Sequence, residues 1–457
     1  MKLRIICWGT GKIANAFMDS FERRYASFID IVCFCDNDSS KYGSVFKGKT
    51  VEPFERVSGY DNILVLTSYY RDIRKQLIAR GVDANKIINE NSLKDIYVRN
   101  NWTNKRVAFY GDRYSFEYIE FLAKYTFKEY CFYEKGKSFS DAEMFDAILL
   151  CPPRLVAPKE IDNYQKTLAL DVSQYKYFFR DDYMWFLDSA RRMSFGNKNP
   201  DKVFCIIHGQ DSKSGWGNLL LRIARGIHYA EENGMIPVID MQNIKNQYLS
   251  LEKFGKVNIW NEYFEPINDY SLDDVYKSKN VIVSGNNGYQ SKHDSMSRIV
   301  LNQKMQNLVE NEYKRLFPIN EKVIGVVYRG TDMYSAYQHP HPMELEKFVS
   351  LVKEKMQDSG CPYVFLATEI EDVTCFFKKK FGSKVFFTDQ QRYSSSERRF
   401  LADVHFKRSN DEYQKGVEYL VVLELLAKCS VLLGKSSATT ICAEALRGRD
   451  YEKKYFI

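Results

Sequence analysis

The sequence predicts an α/β fold in which several parallel sheets follow one another along the chain. Three observations carry this expectation. Short, mostly apolar runs recur from Leu3–Trp8 to Ser430–Gly434, each the length of a strand buried on both faces. Stretches of helical periodicity separate them, so successive strands are joined by crossovers and lie parallel. Turns rich in glycine or in small hydroxyl residues follow several strands just where a helix opens.

Residues 1–100 read as the first unit. Leu3–Trp8 is a strand, and Gly9-x-Gly11-x-x-Ala14 is a tight turn opening a helix that runs to about Arg24. Ile29–Cys35 is a second strand, ending in the turn cluster Asp36-Asn37-Asp38. Ile63–Thr67 is a third strand, and Tyr70–Gly81 a helix with a glycine stop. This is a Rossmann-like pattern. Residues 101–200 form a second small α/β unit with a linker. It holds strands at Lys105–Tyr110 and Ala147–Leu150, a helix near Phe116–Tyr125, and a helical, irregular stretch over 154–195. Asn197–Pro200 punctuates its end.

Residues 201–318 form the third unit: strand Val203–Ile207, a polar loop, a helix over Asn218–Gly234, strands Pro237–Asp240 and Val281–Ser284, and a helix over Ser295–Leu316. Residues 319–457 alternate strongly. Strands fall at Val323–Tyr328, Tyr363–Ala367, Val385–Phe387 and Ser430–Gly434, and helices at Glu344–Met356, Val373–Phe381, Val417–Lys428 and Thr440–Leu446.

Composition bounds the function classes. A chain of 457 residues exceeds one compact domain. With 45% hydrophobic and 27% charged residues it is ordinary globular material. A formal charge of +7 suits anionic ligands or an anionic membrane face and does not argue for nucleic acid. Met1 leads straight into a strand, so no signal peptide is expected, and no run is apolar for long enough to span a bilayer. The expected location is the cytoplasm, with peripheral contact to the inner membrane face as an extension. The ten cysteines lack paired zinc spacing and read as reduced, buried thiols.

Four constellations carry chemistry. Gly9, Gly11 and Asp36 form a glycine turn with an acid at the end of the second strand, which suits a phosphate at a helix N-terminus and a ribose on the acid. The alternative is a structural or docking role. The first hundred residues resemble the small nucleotide-binding-like modules attached to bacterial polysaccharide-synthesis enzymes. Asp36-x-Asp38 could instead chelate a divalent ion, but its place after the second strand favours a turn. Ser214–Asn218, before an apolar helix, either cradles a diphosphate through backbone amides or is a loop with Asn218 as cap. Val323–Asp332 delivers Arg329, Thr331 and Asp332 to the carboxyl end of a buried strand, where open α/β sheets bind ligands. A guanidinium there forks onto phosphate oxygens. Ser436, Ser437, Thr439 and Thr440 lie in a small-residue loop before the last helix. They either bind an anion or simply cap that helix.

Taken in order, the last three constellations resemble the fucosyltransferase superfamily, over residues 203–457. The carrying residues are Gly215-x-Gly217-Asn218, Arg329-x-Thr331-Asp332, Phe365–Glu369 with Thr368, Leu425–Leu433, and Ser436-Ser437 before the final helix. The resemblance implies a GT-B fold, with its cleft between about 203–318 and 319–457, and GDP-fucose as donor. It implies that no metal or other cofactor is needed for transfer. By it Arg329 would neutralise the departing diphosphate, and Ser436, Ser437 and Ala438 would hold the phosphates. Glu369 would lie near the nucleoside and Asn218 near the diphosphate or sugar.

This chain departs from the family pattern in having Val327 where relatives carry His and Gly330 where they carry a second basic residue, which bears on guanine recognition. The candidates for a general base are Asp332, His339 and His341. His341-Pro342 also fits a local structural role, and Asp332 could fix Arg329 or cap a turn. Lys378–Lys380, Arg398-Arg399 and Lys407-Arg408 read as solvated faces, or as contacts to an anionic membrane holding a lipid-linked acceptor.

The expectation is therefore an inverting, metal-independent transfer from a GDP-sugar to a glycan hydroxyl in surface polysaccharide synthesis. Two readings of other classes stand beside it. One is a nucleotide-binding regulatory or scaffold protein with a silent GT-B half. The other is an NAD(H)-dependent oxidoreductase module in residues 1–100.

Overall fold

The computed structural model describes residues 2–117, 120–124, 126–134, 144–151, 176–178, 191–208, 213–283, 293–331, 341–397, 399 and 401–457. They form an α/β molecule with four main sheets, three of them wholly parallel.

In the first sheet the strands run in the order Ile29–Cys35, Leu3–Trp8, Asn62–Val65, Ile87–Ile88. Both faces are covered by apolar packing, one by Ile5, Cys7, Phe17 and Leu64, the other by Ile6, Trp8, Ile63 and Leu77. This is why its strands are mostly apolar, with polar residues only near their starts, at Arg4, Asp30 and Asn62. The helix expected to open from the Gly9–Ala14 turn and run to about Arg24 is two pieces, Lys12–Asp19 and Phe21–Arg24. The break falls at Ser20, whose Oγ donates back to the Phe17 carbonyl at 3.0 Å in place of helical continuation.

The second sheet orders Lys176–Phe178, Ala147–Cys151, Arg106–Gly111 and Glu129–Glu134. The helix Glu90–Trp102 leads into it across residue 100. Near the helix expected at Phe116–Tyr125, the described helices are Arg113–Glu117 and Glu120–Lys124. Most of the irregular helical stretch expected over 154–195 lies outside the described residues. Within it, Lys176–Phe178 and Arg191–Met193 are strands rather than helix, each recruited by a neighbouring sheet edge. Arg191–Met193 joins the third sheet, antiparallel to Val281–Val283, beside Phe204–Ile207 and Ile236–Ile239.

The fourth main sheet positions the site. Its five strands run in the order Val385–Phe386, Tyr363–Ala367, Val323–Val327, Val431–Gly434, Lys453–Phe456. Val323–Val327 is therefore central and buried throughout. Its middle residue, Gly325, has no room for a side chain: a Cβ there would sit 3.0 Å from both Cys429 Sγ and Leu426 Cδ2. The glycine lets the helix Asp411–Lys428 pack close against the strand.

One apolar core runs from the third unit into this sheet, joining Cys205, Trp216, Ile223 and Tyr263 to Leu420, Leu426, Leu432 and Cys442. A second core lies under the opposite face of the sheet, around Ile324, Phe348, Phe377 and Leu433. Three further boundaries differ from expectation. The helix expected from Asn218 begins at Trp216, because the Trp216 ring is buried and its backbone N–H donates to the Tyr248 hydroxyl at 2.8 Å. The helix expected over Ser295–Leu316 is His293–Met296 and Gln303–Leu316, the second capped by the Asn302 side chain accepting from the Met305 N–H. The helix expected from Val417 begins at Asp411.

All ten cysteines are free thiols. Among the described residues no helix is long and apolar enough to cross a membrane.

Glu424, on the helix Asp411–Lys428, has its pKa pushed up to about 6 by burial, against the opposing pull of Lys428. A raised carboxyl pKa means that the folded state binds the proton more tightly than the unfolded state. Its stabilising contribution is full below the unfolded value near 4.5 and is lost as pH rises through about 6. Glu424→Gln is therefore expected to raise stability at pH 7.5 by about 2 kcal/mol and to leave it little changed at pH 4. Urea denaturation at the two pH values measures this.

Candidate functional site

A cavity of about 210 Å³ opens at the carboxyl ends of Val323–Val327 and Tyr363–Ala367. Arg329, two residues beyond the central strand, borders it. So do Thr368 and Glu369 from the neighbouring strand end, Gly215, Gly217 and Asn218 from the third unit, and Ala438 and Thr439 from the last helix. Segments far apart in sequence thus meet at one place.

The loop carrying Arg329 is held in an unusual shape. Thr331 is fully buried and has φ +44°, the left-handed region that a β-branched residue rarely adopts. Glu369 braces it: its Oε1 accepts from the Gly330 N–H at 3.0 Å and from the Thr331 hydroxyl at 3.3 Å. Glu369, expected near a nucleoside, is thus a cavity wall whose carboxylate positions the arginine loop.

Two helix N-termini face the cavity. The helix Trp216–Glu232 starts after Gly215, with no side-chain cap, and Asn218 Nδ2 donates sideways to Ser214 Oγ at 2.9 Å. Asn218 therefore lines the cavity without being the capping residue. The helix Ala438–Arg447 is capped by Ser437 in a reciprocal box with Thr440. Ser437 is thereby occupied as a cap, and it borders a smaller recess on the other side of Arg329. Ser436 is exposed and lies outside the cavity lining. The dipoles of both helices and the Arg329 charge give the cavity a positive character.

The two helices touch at Gly217. A Cβ there would stand 2.5 Å from the Tyr419 hydroxyl and 3.2 Å from Ala438 Cβ. Tyr419 is hydrogen-bonded to Thr439 Oγ1 at 2.8 Å. Gly217→Ala gains helix propensity of about 1 kcal/mol but overpacks this joint at a cost of about 1–3 kcal/mol. The net result is expected to be a stability loss of up to about 2 kcal/mol with the fold retained, as urea denaturation and circular dichroism would show.

Several lining residues carry no motif that marks them in the sequence. Tyr248 stacks on Trp216 with centroids 4.7 Å apart. Burial pushes its phenol well above the usual range, and the nearby Arg329 charge works the other way. Burial likewise raises Tyr419 to about 12, with Thr439 and Arg329 opposing. Lys415 and Glu418 line the far wall within an ionic network. Arg408 bonds Asp411 at 2.7 Å and Glu418 at 2.5 Å, and Lys415 lies 3.1 Å from Asp411. Burial works to raise Asp411, but bonds from Arg408, the Phe406 amide and Lys415 outweigh it and hold its carboxyl below the ordinary range. Arg408, expected on a solvated or membrane-facing surface, is instead tied into this network. Its ion-pair partners Asp411 and Glu418 sit three and ten residues on, and that charge pattern was the available signal.

Among the other expected residues, Asp332, His339 and Arg398 lie outside the described residues. His341 is exposed, and its carbonyl accepts from Lys435 Nζ at 2.6 Å. Val327 lines the cavity as an apolar wall. Lys378, Lys379 and Lys380 stand in the last turn of Glu371–Phe381, where they complement the helix dipole.

In the first unit, Gly9, Gly11 and Asp36 border a separate cavity of about 380 Å³. Asp36 Oδ2 accepts from the Thr10 N–H at 3.1 Å, the Thr10 hydroxyl at 2.5 Å and Lys41 Nζ at 3.0 Å, while Oδ1 accepts from the Asp38 N–H at 3.0 Å. Asp38 in turn accepts from the Ser40 amide and hydroxyl at 3.1 and 2.6 Å. Both carboxylates are thus engaged in turn formation.

The fold and site together define an α/β protein with a positively charged cavity at the carboxyl ends of a parallel sheet. Residues 1–88 match the family described as C2185-like, N-terminal. No curated protein matches the chain. Among solved structures, the chain is similar to NodZ alpha-1,6-fucosyltransferase soaked with GDP-fucose, at 19% identity over 54% of this chain and 92% of that one, TM-score 0.39. It is similar to fucosyltransferase NodZ from Bradyrhizobium at 17% identity over 53% and 93%, TM-score 0.38. It is also similar to an Arabidopsis thaliana FUT1 mutant in complex with GDP, at 13% identity over 56% and 71%, TM-score 0.33.

Proposed function

We propose that the chain is a glycosyltransferase that moves fucose or a related sugar from a GDP-sugar to a glycan hydroxyl, with inversion. The observation that carries the reading is Arg329 at the cavity together with the N-termini of Trp216–Glu232 and Ala438–Arg447. A fixed cation, the Ala438 and Thr439 amides and the positive ends of two helix dipoles suit a diphosphate. The order of motifs shared with fucosyltransferases supports GDP-fucose as the donor class.

In this reading the acceptor oxygen attacks the anomeric carbon as the bond from that carbon to the β-phosphate oxygen breaks. The acceptor proton passes to a base, and GDP leaves with the bonding pair. Arg329 and the amides of Ala438 and Thr439 stabilise the charge that develops on the leaving diphosphate. Among the described lining residues the carboxylates are Glu369 and Glu418, and each is already hydrogen-bonded: Glu369 to the arginine loop, Glu418 to Arg408 and the Gln391 amide. Asp332, adjoining Thr331 in the chain, is therefore our choice for the base. The fused core across the two halves favours a preformed cavity over a wide closure.

The test is release of GDP from GDP-fucose by the purified protein with and without glycan acceptors. Acceptor-dependent release supports transfer. Tight GDP binding without any turnover would instead support a silent, nucleotide-binding role in polysaccharide assembly.

A further inference from the structure

The third unit carries a groove apart from the Arg329 cavity. It runs along the outer edge of Ile236–Ile239, the edge strand of the third sheet, and its volume of about 870 Å³ lies in the range of ligand sites. The strand gives one wall, and Gln242 with the segment 256–273 gives the rest. Among the described residues the groove and the cavity have no lining residue in common. They lie on either side of one aromatic cluster. Trp260 borders the groove and Tyr248 the cavity, and both rings meet Trp216, at centroid distances of 6.3 and 4.7 Å.

Two classes of ligand fit poorly here. The first is a peptide added as a further strand. Pro237 has no N–H, its carbonyl accepts from Asn268 Nδ2, and the Ile239 carbonyl accepts from Asn258 Nδ2 at 2.8 Å. The outward groups that an added strand would pair with are thus largely used. The second is an anion. Asp273 is paired with Lys277 at 2.6 Å. The other charged groups of the lining, Lys256, Glu262 and Asp269, make no hydrogen bond or ion pair among the described residues. One cation against two carboxylates leaves the groove negative, which disfavours a phosphate.

The same groups suit a neutral sugar chain. Glu262 and Asp269 offer acceptors, Lys256 offers donors, and the Asn261 amide, also without a side-chain partner among the described residues, offers both. Sugar hydroxyls donate and accept in turn, so a mixed set of this kind matches them. Between these groups Pro266, Ile267 and Leu272 give the groove apolar surface. The C–H faces of a sugar ring pack on such surface while its hydroxyls reach the polar groups.

We propose that this groove binds a neutral glycan chain through Asn261, Glu262 and Asp269. The choice of a glycan rests on the transfer reaction proposed above, and the groove holds a part of the acceptor away from the reacting hydroxyl. The aromatic cluster stands between the two sites, so an acceptor that touches both is a chain of several sugars and not a monosaccharide.

The experiment is calorimetry on the full chain, without donor, using maltohexaose, cellohexaose, xylohexaose and mannohexaose, with hexagalacturonate as an anionic counterpart. It is repeated on Arg329→Ala, on the double variant Asn261→Ala/Asp269→Ala and on Glu262→Ala. Asn261 and Asp269 are exposed, so truncating them leaves the core packing intact. At least one neutral hexasaccharide is expected to bind wild type and Arg329→Ala equally, and to bind hexagalacturonate's site more tightly than hexagalacturonate does. The double variant is expected to bind that probe at least tenfold more weakly with an unchanged melting temperature, about the loss of two hydrogen bonds. Glu262→Ala is expected to weaken it as well, and it decides the matter if the double variant fails to fold. The proposal is overturned if no neutral hexasaccharide binds, if the folded groove variants bind as wild type does, or if binding is lost in Arg329→Ala alone. Absence of transfer by the purified protein would remove the reaction proposed above and leave these binding outcomes unaffected.

Discussion

Arg329→Ala is expected to lower kcat/KM for GDP-fucose by about 10²–10³, the usual cost of removing one preorganised charge from a transition state. The arginine stands just past the buried central strand and at the mouth of the cavity. In the proposed reaction its guanidinium meets charge that grows as GDP departs, so the loss should fall on kcat as well as KM. Arg329→Lys keeps the charge but loses the planar fork and should give an intermediate rate. The urea midpoint should stay close to wild type in both. Steady-state kinetics with GDP-fucose checks this, and wild-type kcat/KM for Arg329→Ala would remove the arginine from the mechanism.

Trp216→Ala should give the largest stability change, a loss of about 3–5 kcal/mol measured by urea denaturation. The ring is fully buried, stacks on Tyr248 and meets Tyr263 and Phe264 at 5.2 Å each. The ring also holds Tyr248, whose hydroxyl accepts from the residue 216 backbone N–H at the start of the helix whose N-terminus faces the cavity. GDP affinity should therefore fall together with stability. Trp216→Phe keeps an aromatic face and should lose less of both. Equal losses for the two variants would show that the stack does not fix this joint.

The buried strands were legible because burial on both faces leaves a mostly apolar run, with charge confined to the first residues, as at Arg4 and Asp30. Leu3–Trp8, Ile29–Cys35 and Tyr363–Ala367 occur where the pattern puts them. Glu129–Glu134 and Lys453–Phe456 escape that pattern because they are edge strands with charged, exposed residues, and only pairing to a neighbour makes them strands. Arg329 and the last helix N-terminus were legible because strand, turn and helix are contiguous. Tyr248, Lys415 and Tyr419 were not, since they reach the cavity from distant segments and nothing local distinguishes them from core or surface residues. Asp36 shows the opposite limit: a motif in sequence whose carboxylate is turned to Thr10 and Lys41.

A crystal structure of the full chain with GDP tests most directly whether the Arg329 cavity is the donor diphosphate site. The expected result places a phosphate within hydrogen-bond reach of the Arg329 guanidinium and the Ala438–Thr439 amides, about 2.7–3.2 Å. GDP bound elsewhere, with this cavity unchanged, would contradict it.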